Sequence, residues 1–425
     1  MRNLVKFSAF AVAAMLATAA YADMSNMTFA GYVRAGVGLN SEGGDMACFH
    51  LAGADTKFRL GNECDYVVEP NFDYVAVKLD DKSTWGVHIM PSVYKAWNGA
   101  LIQTTVPGAV TGGDAIVLNT NADSLTAHWG QVYFFGNNVP QLLNGSIWGG
   151  RKYTNRLQTG INDQFLENND GDGFGIDDMN LGGFAKWSIG VQMDPNVVAT
   201  DVDVDGNPAF QPSDLTKTYA VWSSLRSINT FANSALSVYG GYYGRSKAKD
   251  DTSEFKDGYT IAAYHNADLG KWGSNLLGAK YDTRGGGTLW RVVLQHGITF
   301  ASARTSLDFI TEYRDSKADG ATDHAKWFMI GARTDTNISG PFRFLLEAGY
   351  DQTQLGSADA INLLKVTGVL AVSAGKDASS RPTFRLFYTY GSWSDPGAND
   401  GANAALAFGD KKSGGSFGVQ AEGWW

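Results

Sequence analysis

Long hydrophobic runs are missing from this chain of 425 residues. Past residue 22 no stretch approaches the roughly 18 consecutive apolar residues that a membrane-spanning helix needs, so a bundle of spanning helices is excluded. Charge is scarce as well, 18% of residues against the usual figure of about a quarter. The formal net charge of −9 argues against a nucleic-acid surface. Six histidines stand at no metal-ligand spacing. Cysteine is confined to Cys48 and Cys64. One close pair in a secreted chain suggests a single disulfide, stabilising by about 3 kcal/mol through the loop it closes. The mean hydropathy of −0.19 is that of a soluble protein, yet a barrel that crosses a membrane by strands reads the same way, because only alternate residues need be apolar.

What is abundant fits that alternative. Gly (51), Phe (23), Tyr (18) and Trp (12) are plentiful. Arg2 and Lys6 precede a short apolar stretch ending in Ala20-Tyr21-Ala22, so residues 1–22 read as a signal peptide and residues 23–425 as one domain. Side chains of a β-strand face alternate sides. Phe29, Gly31, Val33, Ala35 and Val37 therefore share one face, and Tyr32 and Arg34 lie on the other. Phe342, Phe344, Leu346 and Tyr350 likewise oppose Arg343, Glu347 and Asp351, and Phe384, Leu386, Tyr388 and Tyr390 oppose Arg385, Thr389 and Trp393. Charge keeps to one parity, and Gly-, Asp-, Asn- and Ser-rich loops separate the stretches. Some 400 residues at roughly 22 per strand and connection make on the order of 16–20 strands, enough for an aqueous channel. A soluble sandwich or propeller would also alternate, but would not carry an apolar face to the last residue. There Phe417, Val419, Ala421 and Trp425 share the apolar side, while Gln420, Glu422 and Trp424 share the other.

Four segments resemble the maltoporin family of sugar porins: Phe29 to Gly38; Ala47-Cys48-Phe49 with Lys57 to Asp65 and Glu69-Pro70; Ser146 to Tyr153 with Arg156 and Asp163; and Gly414 to Trp425. The resemblance implies an all-β fold, an antiparallel transmembrane barrel of 18 strands with an inward-folded constriction loop. It further implies a homotrimer among outer-membrane lipid that passes maltose and maltodextrins by facilitated diffusion. A periplasmic sugar-binding protein is a candidate partner. The family's row of lumen aromatics, the greasy slide, maps onto Tyr32, Val67, Trp97, Trp290, Trp393 and Trp424, the rung at Val67 being aliphatic. The constriction and its ionic track map onto Arg34, Arg59, Glu69, Arg156, Asp163 and Phe165, with Phe165 where the family has tyrosine and His128 where it has a further arginine. Losing that one hydroxyl removes on the order of 1 kcal/mol of hydrogen bonding to a sugar.

Other signals are weaker. Gly414-Gly-Ser-Phe-Gly has the spacing of a hydrolase elbow, but it opens a terminal strand with no helix after it, and no enzyme activity is expected. Asp201-Val-Asp-Val-Asp-Gly matches half of a Ca²⁺-binding loop, with Pro212 where the closing glutamate belongs. No cofactor is expected, and a weak loop Ca²⁺ site is the alternative. Sucrose or another oligosaccharide is the rival substrate, and a general diffusion porin the rival class.

Overall fold

The computed structural model describes residues 26–96, 103–106, 116–119, 126–193, 201–202, 208–209 and 217–425, the last apart from 232, 248, 250, 253 and 255. The expected signal peptide, Trp97 and most of the candidate Ca²⁺ loop lie outside these residues.

Eighteen strands form one closed antiparallel sheet. In chain order they are β1 (Met27–Asn40), β2 (Asp65–Lys78), β3 (Thr84–Ala96), β4 (Thr126–Val139), β5 (Gly145–Thr159) and β6 (Gln164–Asn180). Then come β7 (Lys186–Met193), β8 (Lys217–Asn229), β9 (Ser234–Ser246), β10 (Gly258–Asp268), β11 (Ser274–Asp282) and β12 (Thr288–Phe300). The last are β13 (Thr305–Lys317), β14 (Ala325–Ser339), β15 (Phe342–Leu355), β16 (Ile361–Ser373), β17 (Thr383–Trp393) and β18 (Ser413–Trp424). Each strand pairs with the next, and β1 pairs with β18 to close the ring. Closure leaves no sheet edge in lipid, which is what allows strands to span a membrane at all. The seam runs to the last residue: Trp425 exchanges two backbone hydrogen bonds of 3.2 Å with Gly31, and its ring packs on Phe29 at 5.4 Å.

The alternation read from the sequence holds. On β18, Phe417 and Val419 are exposed outward, whereas Ser416, Gln420 and Glu422 are buried inward. On β13, Tyr313 faces out while Glu312 is buried inside. The outer face is apolar because it meets hydrocarbon, and the inner face is polar because it meets water and loops.

Those loops fill part of the lumen. Residues 41–64, between β1 and β2, fold inward and are closed at their base by the Cys48–Cys64 disulfide. Phe58 of this loop presses into a notch on the inner wall, where Cβ atoms at Gly331 and Gly349 would each stand 2.1 Å from its ring. Only glycine permits that approach. Leu60 is held by Glu347, which accepts its N–H at 3.0 Å, and by Lys365, which donates to its carbonyl at 2.7 Å. The β5–β6 hairpin also turns inward beyond register breaks at Thr154 and Leu157. Its tip crosses to the opposite wall, where Lys280 pairs with Glu167 at 3.0 Å, Gln164 donates to Glu312 at 3.2 Å and Arg333 donates to the Ile161 carbonyl at 3.0 Å. This is the inward-folded constriction loop. The two segments meet where the Arg59 N–H donates to the Ile161 carbonyl at 3.2 Å.

Candidate functional site

Where these segments face β1–β6, they leave a lumen cavity of about 620 Å³. Its chemistry comes from three sources. The wall supplies Tyr32 and Arg34 from β1 and Val67 and Glu69 from β2. The inward loop supplies Arg59, and the hairpin supplies Arg156, Asp163 and Phe165. Eight of the twelve residues expected to form the slide and ionic track thus line one space. Ser92, Tyr94, His128, Tyr153 and Gln158 complete it.

An ordered ionic network supports the cavity. Arg34 is buried and binds Glu63 at 2.5 Å and Asp65. Arg59 bonds Glu63 at 2.5 Å, Glu422 at 3.1 Å and the Tyr32 hydroxyl at 2.9 Å, with Asp163 at 3.7 Å. Burial works against the Arg59 guanidinium, but Glu63, Asp163 and Glu422 outweigh it and raise its pKa above the ordinary arginine value, so it stays charged. Tyr32 donates to Glu422 at 2.9 Å and accepts from both arginines, which fixes its ring in place. Tyr94 donates to Asp65 at 2.6 Å. Arg156 lies between two rings, its guanidinium carbon 3.4 Å from the Tyr153 centroid and 4.7 Å from that of Phe165. Its Nε and Nη2 donate to Asp170. Two aromatic faces and one carboxylate hold this fork in place.

Of the expected slide residues, Trp424 faces inward across the ladder from Tyr32 and is 44% exposed. The Arg381 guanidinium lies 3.8 Å from the centre of its ring. Trp393 also has inward parity, but it is only 4% exposed. Its ring is packed by Phe49 at 6.3 Å and by Phe408 at 5.5 Å, the latter from the short helix α1 (Ala404–Phe408) of the β17–β18 loop. A rung needs an open ring face, so the expectation for Trp393 is corrected: it anchors loops. Trp290 is corrected more completely. Its neighbour Arg291 points into the lumen, where it binds Asp55 and Glu312. Trp290 therefore points outward with Val292 and packs on Tyr281 at 4.4 Å. Its place is that of an interfacial girdle aromatic.

Tyr94, Tyr153, Ser92 and Gln158 were not among the expected site residues. Inward parity on β3, shared with Ser92, would have found Tyr94. The register breaks in β5 hide Tyr153, Arg156 and Gln158 from any simple alternation.

Two kinds of comparison bear on this arrangement. The family model described as LamB porin matches residues 27–425. Among solved structures, OpdK of Pseudomonas aeruginosa, determined with vanillate, superposes with a TM-score of 0.51 at 10% identity, covering 94% of this chain and 99% of that one. A BenF-like porin from Pseudomonas fluorescens Pf-5 superposes with a TM-score of 0.50 at 9% identity, covering 94% of this chain and 98% of that one. At such identities these two structures support the barrel fold alone.

Proposed function

This chain belongs to the LamB porin family, and so is an outer-membrane β-barrel porin, and we propose that it passes maltose and maltodextrins by facilitated diffusion as a homotrimer. The observation that supports this reading is the cavity that gathers Tyr32, Arg34, Arg59, Glu69, Arg156, Asp163 and Phe165 into one space of about 620 Å³. A pyranose has apolar C–H faces and a rim of hydroxyls. Aromatic rings cover the first, and charged donors and acceptors bind the second. Passage requires that such contacts stay weak and repeated. A periplasmic sugar-binding protein is the natural recipient.

A second reading, sucrose or another short oligosaccharide, is favoured by the aliphatic Val67, the buried Trp393 and the outward Trp290. With these three rungs gone, the described residues offer fewer platforms to a long linear chain.

Current block through reconstituted channels separates the readings. Maltooligosaccharides are expected to block ion current, more tightly as the chain lengthens. If sucrose blocks while millimolar maltotriose leaves the current unchanged, the maltodextrin assignment fails. If neither blocks, the channel is a general diffusion porin.

The two terminal tryptophans supply a further prediction. Trp424→Ala is expected to weaken sugar block with assembly intact. Trp425→Ala is expected to lower the yield of folded barrel, because the ring packs over Gly31 and Phe29 at the seam. Equal effects of the two substitutions on block, measured in correctly assembled channels, would contradict the opposite facing of the rings.

A further inference from the structure

We infer that Tyr94 is an aromatic platform for sugar in the constriction cavity, supplying the ring that position 67 lacks, a role that rests on the sugar reading proposed above. The ladder register sets Arg34 of β1 opposite Val67 of β2, and Val67 opposite Tyr94 of β3. All three line the same cavity as Tyr32. The aliphatic side chain at 67 therefore has an aromatic neighbour directly across the strand pair, pointing into the same space. Cβ atoms so opposed stand about 4.5–5.5 Å apart, so a ring at 94 reaches solute that a ring at 67 would have met.

A platform needs a fixed ring with an open face. The Tyr94 hydroxyl donates to one Asp65 carboxylate oxygen at 2.6 Å. The other oxygen accepts from the Arg34 Nε at 2.9 Å, and the Arg34 Nη1 donates to the Tyr32 hydroxyl at 3.2 Å. One Arg34–Asp65 ion pair thus anchors a phenol at each end. A tyrosine tied at its oxygen has little further freedom to lose when a sugar stacks on its ring.

The Tyr94 ring is also open. The residue is 43% exposed, whereas the loop-covered Trp393 is 4% exposed. No other ring and no cation stacks on Tyr94 among the described residues. Tyr153, the remaining tyrosine of the cavity, is covered by the Arg156 guanidinium at 3.4 Å. An oligosaccharide in this cavity therefore meets two rings, Tyr32 and Tyr94, while a monosaccharide needs only one of them.

The test is current block of reconstituted full-length channels by glucose and by maltotriose or sucrose, whichever oligosaccharide blocks the wild type. Tyr94→Ala is expected to weaken oligosaccharide block roughly threefold to tenfold. Glucose block should weaken less, because Tyr32 still offers a ring. Tyr94→Phe keeps the ring and gives up the bond to Asp65, and should stay much closer to the wild type. Unchanged oligosaccharide block in Tyr94→Ala overturns the inference. So does a Phe variant as weak as the Ala variant, which would assign the effect to the anchoring of Asp65 and Arg34 instead of to the ring. If none of the three sugars blocks the wild type, the sugar reading itself fails and the role of Tyr94 falls with it.

Discussion

Glu347→Ala is expected to detach the inner loop from the wall and raise single-channel conductance. Glu347 is fully buried on β15. One carboxylate oxygen accepts from Lys365 at 2.7 Å and from the Leu60 N–H at 3.0 Å, and the other accepts from the Arg333 Nε at 2.7 Å. Arg333 also donates to Ile161 of the hairpin tip. Removing the carboxylate leaves the buried Lys365 and the half-buried Arg333 without this counter-charge, a loss of about 3–5 kcal/mol. The sheet ladders do not depend on this group, so the barrel should still assemble while residues 41–64 loosen. Hydrogen exchange at Leu60 and Asn62, read with conductance, checks this. A folded variant with wild-type protection in the loop and wild-type conductance would rule out Glu347 as the joint. Glu347→Gln, which keeps an acceptor for Leu60, should show a smaller effect.

Phe58→Ala is expected to cost about 3–5 kcal/mol of loop attachment, the usual range for a buried phenylalanine. The ring fills a notch that two glycines, Gly331 and Gly349, open for it. This makes the test reciprocal. Gly349→Ala alone should expel the ring and release the loop. In the Phe58→Ala background the same Gly349→Ala change should be nearly neutral, because its methyl then enters a void. Loop protection measured in the two single variants and the double variant gives the coupling. Additive losses would mean that Phe58 does not occupy this notch.

The wall was legible in the sequence, and the furniture of the lumen only partly so. Alternation works because lipid and water impose opposite demands on successive residues. It placed Arg385, Glu422, Trp424 and Trp425 on the correct faces. Accessibility is a different property. Trp393 has inward parity, but Phe49 and Phe408 cover it from loops that no local pattern connects to β17. Trp290 rests on the family resemblance alone, and the parity of Arg291 with its pairing to Glu312 contradicts a lumen position. Eight of the twelve expected site residues line one cavity, Val67 and Phe165 among them, whereas Trp424 of the terminal segment does not. Glu347 could be read as inward from its strand, but not as the seat of Leu60, because that contact joins positions 287 residues apart in the chain.

The two inward segments also have a mechanical consequence. The loop that leaves β1 is fastened to β12, β13, β15, β16 and β17 through Asp55, Ala52, Leu60 and Gly61. The hairpin from β5 and β6 is fastened to β10, β11, β13 and β14. They touch each other at Arg59 and Ile161. A wide ring of strands under lateral pressure tends to flatten into an oval. These segments act as two crossbeams bolted together near mid-span, bracing the ring across different chords and stiffening it against that deformation.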